Sequence, residues 1–217
     1  MLRLIWKDVL VQKKILLFML IFILYFEVFF RNMGSIALTA GVVCTTYAVS
    51  FGASALEDKN KVDMVLNSLP IKRSSIVIAK YLSVFVYAIG ALFVCFVIYF
   101  LAEWLNLPLK VVPFTFEGAA GAIIAAALFS AINYPIIFKY GYIKSRGINF
   151  ALFFLFFFGG NTLYDYARDH SWLEKLLQMT GDLEVEQMFM LTMLFSLILV
   201  IISLLLSISI YKRREFS

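Results

Sequence analysis

Few residues in this sequence are equipped for chemistry. Glu27 is the one carboxylate standing firmly inside an apolar run. An ionisable group at membrane depth points by default to passage of a substrate or ion. Arg31, four residues on and on the same helix face, offers the plainer reading of a structural ion pair near a helix end, where long side chains reach water. Asn133, two residues before Pro135, is the other polar candidate for a substrate path. His170 stands alone, without metal-ligand spacing, and reads as a solvated loop residue. Cys44 and Cys95 fall mid-run, where packing is the ordinary role and a disulfide is improbable. The sequence holds no G-x-x-x-x-G-K-[ST] phosphate loop, no H-E-x-x-H and no nucleophile elbow. The expectation is a chain that is not an enzyme, with no catalytic residue, no metal and no cofactor of its own.

The elements that would carry these residues are apolar helices. Of 217 residues, 63% are hydrophobic, 15% are charged and 23 are Phe, whereas soluble domains carry about 25% charge. Runs of ~20 apolar residues match the length that crosses the hydrocarbon core as a helix. They fall at about 15–33, 36–56, 76–102, 117–138, 148–164 and 187–211. Strand alternation is missing, so a barrel is not expected. The reading is an all-α, polytopic membrane protein: one transmembrane domain over 1–217 with six spans. The first apolar run is full length, with no small-residue cleavage site after it, so no cleaved leader is expected.

Fifteen of the 19 Lys and Arg fall in segments that share a side if the N-terminus is inside. The positive-inside rule then puts both termini in the cytoplasm. The +5 net charge reflects that topology, and no nucleic-acid partner is expected. The other face is net negative, with Glu103, Glu117, Asp182, Glu184 and Glu186 among its acids. Residues 1–14 place Leu2, Ile5, Trp6, Val9 and Leu10 at helical spacing, with Arg3, Lys7, Lys13 and Lys14 off that stripe. This reads as an interfacial amphipathic helix or as a positive flank to the first span. Residues 165–186 form an outer helical segment, with Ser171 and Glu174 as a capping box and Gly181 as a stop. Gly41, Thr45, Ala48 and Gly52 in the second span, and Gly118, Ala122, Ala126 and Ser130 in the fourth, form small-residue packing faces.

One stretch breaks the apolar pattern on the basic side. In 57–75, Val62, Val65, Leu66 and Leu69 repeat as i, i+3, i+4, i+7 opposite Glu57, Asn60, Lys61, Met64, Asn67 and Ser68. Pro70 ends that helix, and Ser74 or Ser75 can cap the next. A solvated loop helix satisfies the same spacing. The stretch E-D-K-N-K-V-D, L-N-S-L-P-I-K-R, I-V-I-A-K-Y-L resembles the segment between the second and third helices of type-2 ATP-binding-cassette exporter permeases. The likeness extends over nearly the whole chain and is nearest to small bacterial permeases that export amphipathic peptide toxins, of the phenol-soluble-modulin type, or bacteriocin-like antimicrobial peptides. The resemblance implies a coupling helix in which Asn60, Lys61, Asp63, Met64, Asn67, Ser68, Leu69 and Pro70 meet an ATPase subunit. It also implies that ATP and Mg are bound by that partner, a second permease copy, and residence in a bacterial plasma membrane. A membrane immunity or sensor protein that binds a toxic peptide without moving it is the competing reading.

Overall fold

The computed structural model describes residues 13–29, 34–62, 68, 72–105, 111–169 and 185–214. These residues form six long helices and no strand: α1 (Lys13–Phe29), α2 (Ser35–Lys59), α3 (Arg73–Trp104), α4 (Phe116–Tyr140), α5 (Tyr142–Asp169) and α6 (Val185–Arg213). Each expected apolar run overlaps one of them, and residues 30–33 of the first run lie outside the described residues. Among the described residues, four stretches are long and apolar enough to cross a membrane: Ile36–Lys59, Arg73–Trp104, Phe116–Tyr140 and Phe189–Arg213.

The two central helices, α2 and α4, pack on each other. Around them, α2 also touches α1, α3 and α5, and α4 touches α3, α5 and α6. Small residues allow the close approaches. A Cβ on Gly41 of α2 would stand 3.3 Å from Phe26 Cβ of α1, and Ala122 and Ala126 of α4 lie in the core with Val42, Ala88 and Cys95. Ala48 does not join that face; it is exposed. Cys44 and Cys95 are free and buried.

α6 is inside out by the standard of a soluble protein. Its buried positions include Ser196, Ser203 and Ser207, while Met190, Leu194, Phe195, Leu205 and Leu206 are exposed. In water that arrangement would be costly; in lipid, apolar side chains face the solvent and hydroxyls join helices. The serines have specific work. Pro135 inside α4 has no N–H, which leaves the Ala131 carbonyl without its helical donor. Ser203 Oγ of α6 donates to that carbonyl. The Tyr81 hydroxyl of α3 in turn bonds Ser203 at 2.6 Å and Ser207 at 2.9 Å. A proline in one helix is thus satisfied by a serine of a second and locked by a tyrosine of a third.

Charged termini of the helices gather at one end. The ends of α2, α4 and α6 and the starts of α3 and α5 meet there, bringing Glu57, Asp58, Lys80 and Arg214 around one cavity. At the opposite end lie exposed Glu103 and Glu117, with Thr115 capping α4 by accepting from the Gly118 N–H at 3.2 Å.

Candidate functional site: the junction at the basic end

α2 continues through Glu57, Asp58 and Lys59 before stopping. These three were expected to begin the loop helix; they are instead the last turn of the long helix. Asn60 and Lys61 form the turn that follows, Lys61 at φ 50°, and Val62 resumes helical geometry. Asn60 and Lys61 are exposed, Val62 packs against the buried cluster that includes Ile76 and Phe138, and Ser68 is helical and exposed. Asp63, Met64, Asn67, Leu69 and Pro70 lie outside the described residues, as do Val65 and Leu66. α3 starts at Arg73 with Lys72 as its cap residue and no side-chain cap. Ser74 and Ser75 therefore sit in its first turn rather than capping it, because the helix begins earlier than the hydroxyls suggest.

Both flanks of this segment are tied into the bundle. On the leading side, Glu57 pairs with Lys80 of α3, and Asp58 Oδ2 accepts the Ile143 N–H at the start of α5 at 2.8 Å. On the trailing side, Arg73 Nη1 donates to the Lys212 carbonyl at 2.9 Å and to the Arg214 carbonyl at 3.4 Å. Arg214 Nη1 donates to the Phe138 carbonyl, at the end of α4, at 3.2 Å. The last carbonyls of a helix have no partner within it, so guanidinium donors satisfy them and complement the dipole.

Gly141 makes the tight turn between α4 and α5, at φ 81° and ψ 162°. A Cβ there would meet Arg214 Nη2 at 3.1 Å and Asp58 Oδ2 at 3.3 Å. Glycine is used because both charged groups close over the turn, and because this backbone region is essentially closed to other residues. A cavity of about 40 Å³ lies among Ser54, Glu57, Asp58, Lys80, Tyr134 and Arg214. Beside it, burial lifts the Tyr142 phenol above its ordinary value, against the lowering effect of Arg146.

The two candidate path residues sit on different helices, Glu27 on α1 and Asn133 on α4. Glu27 is buried at 3%, and its Oε2 accepts the Val112 N–H at 3.2 Å, with the Cys95 thiol as a second donor. Arg31, its expected partner, lies outside the described residues. Asn133 is fully buried on α4 and donates to the Phe129 carbonyl at 2.7 Å. Residues 1–12 lie outside the described residues, as do 170–184 with His170, Ser171, Glu174, Gly181, Asp182 and Glu184. Among the described residues, no three His, Cys, Asp or Glu side chains form a metal-holding group. Sequence reasoning missed Asp58, Arg73, Gly141 and Arg214 as parts of one junction. Their chemistry lies in backbone partners far along the chain, which residue spacing does not encode.

A family model described as "ABC-2 family transporter protein" matches residues 3–212. No curated protein and no solved structure matches the chain.

Proposed function

The chain belongs to the ABC-2 family of transporter proteins, and from that premise we propose that it is the membrane permease of an ATP-driven exporter. All six helices cross the bilayer, and the basic end faces the cytosol together with both termini. An ATP-binding-cassette ATPase binds ATP and Mg and docks on the 57–75 segment through Asn60, Lys61, Met64 and Asn67. A second permease copy completes the path, since six helices wall a route for a bulky substrate poorly. The substrate is an amphipathic peptide exported from a bacterial cell.

The observation that supports this most is the tethering of the segment at both flanks. Asp58 joins it to the start of α5, and Arg73 joins it to the end of α6. A push on the segment is delivered to helix ends rather than absorbed by a loose loop, which is what coupling to a cytosolic motor requires.

The test is copurification with an ATP-binding-cassette ATPase, followed by peptide-stimulated ATP hydrolysis in lipid. Met64→Asp should abolish docking, because a carboxylate would be buried in the interface without a partner. Normal binding and stimulation by Met64→Asp would remove the segment from the coupling role. Peptide binding with no ATPase partner and no transport would point to an immunity or sensor protein instead.

A further inference from the structure

Three rings fix a common level inside the bundle. Tyr47 of α2 packs on Phe129 of α4 with centroids 5.2 Å apart and on Phe153 of α5 at 4.6 Å. About one helical turn from this layer toward the basic end stand Ser50, Asn133 and Asn149, on the same three helices. Their exposures are 3%, 0% and 1%. On each, one oxygen has no hydrogen-bond partner: Ser50 Oγ, Asn133 Oδ1 and Asn149 Oδ1. The amide nitrogens are used, Asn133 Nδ2 on the Phe129 carbonyl and Asn149 Nδ2 on Ser145 Oγ at 3.1 Å. What remains is a set of acceptors and one hydroxyl, held at one depth by three helices.

A buried polar oxygen without a partner is unfavourable, and two amide oxygens and a hydroxyl at one level call for a small ligand that donates. Water supplies two donors and can accept the serine proton, and needs polar partners on two or more sides. A charged ligand fits less well, because the three side chains are neutral. A cavity lies one further turn toward the basic end. There Ser54 follows Ser50 on α2 and Ile137 follows Asn133 on α4, and both line the cavity of about 40 Å³ bordered by Glu57, Asp58, Lys80 and Arg214. That volume is enough for a water or two.

We propose that the α2–α4–α5 junction is a water-binding seam. Water enters between the charged groups of the basic end, is held by Ser50, Asn133 and Asn149, and is stopped by the Tyr47–Phe129–Phe153 layer. Bridging waters exchange partners without repacking side chains, so α4 and α5 can shift against α2 at a seam of this kind more readily than across a dry, close-packed contact.

The test uses the full chain in lipid nanodiscs, where reagent reaches both ends of the bundle and the outcome does not depend on topology or on the ATPase. With Cys44 and Cys95 replaced by Ala, single variants Ser50→Cys, Asn133→Cys and Asn149→Cys are exposed to silver ion or a small cationic methanethiosulfonate. Labelling of at least two of them, about tenfold or more faster than Ala88→Cys in the apolar core, is expected for a wet seam. Rates no faster than Ala88→Cys at all three would overturn it. Should the variants fail to fold, hydroxyl-radical footprinting of the wild-type chain decides. Buried Phe129 should then be oxidised several-fold more than buried Tyr87 after correction for ring reactivity, and equal or lower oxidation would overturn the seam.

Discussion

Asp58 caps a helix far along the chain: its carboxylate accepts the N–H of Ile143, 85 residues later, at 2.8 Å in the first turn of α5. The first N–H groups of a helix have no partner inside it, and a carboxylate both satisfies one and matches the positive end of the dipole. The last turn of α2 therefore fixes where α5 starts. A movement of residues 57–75 cannot reach α3 alone, since α5 is held by the same turn that launches the segment.

Removing that cap has a graded expectation. Asp58→Ala should lower stability by about 1 kcal/mol, the usual cost of losing a capping oxygen, while Asp58→Asn keeps the acceptor and loses much less. Thermal unfolding in detergent measures both. In the proposed complex with an ATPase, ATP hydrolysis should fall for Asp58→Ala and hold for Asp58→Asn. Equal stability of Ala and Asn variants would show that the cap contributes nothing.

Gly141→Ala should be worse than its single methyl group suggests. The backbone at φ 81° and ψ 162° lies in a region essentially reserved for glycine, costing about 1–3 kcal/mol for other residues. The new Cβ would also press on Arg214 Nη2 at 3.1 Å, whose other arm holds the Phe138 carbonyl. Unfolding temperature should drop clearly, and more than for Gly147→Ala, where a Cβ meets nothing within 4 Å. Parity of the two variants would remove strain at position 141 from the account.

The division between what could be read from sequence and what could not follows the kind of information involved. The helices were legible because apolar runs record their solvent directly, as in the Leu- and Ile-rich stretch of α6. The buried serines of α6 were not, because nothing local distinguishes Ser203 from a serine facing a neighbour idly; its reason is Pro135 in another helix. Asn133 was noticed for its polarity, yet the level it shares with Ser50 and Asn149 emerges only once Tyr47, Phe129 and Phe153 set the register. Glu57–Lys59 were misplaced because an amphipathic loop helix and the charged last turn of a long helix look alike until Lys61 breaks the chain direction.

The Pro135 repair gives its own prediction. Ser203→Ala removes the donor to the Ala131 carbonyl and one partner of Tyr81 together, leaving a buried carbonyl unsatisfied. The expected loss is about 1–2 kcal/mol, at the upper end for single hydrogen bonds between membrane helices. Tyr81→Phe should cost less, since Ser203 still reaches the carbonyl. Restoring the N–H with Pro135→Ala in the Ser203→Ala background should recover most of the loss, measured as a double-mutant cycle by thermal unfolding. Additive effects would show that the two sites are not linked through Ala131.

Glu27 poses a choice between passage and pinning, and its partners decide the expectation. The carboxylate is buried, accepts the N–H of Val112, itself buried, and receives the Cys95 thiol. It thus joins α1 to α3 and to the stretch before α4 through the protein's own groups. Glu27→Gln keeps an acceptor for Val112, so it should fold and, in the proposed complex with an ATPase, support ATP hydrolysis at wild-type level. Glu27→Ala strands the Val112 N–H and should lose about 1–3 kcal/mol of stability. A Gln variant with normal unfolding but much reduced transport would mean that the charge itself serves the substrate, and that the contacts to Val112 and Cys95 are secondary.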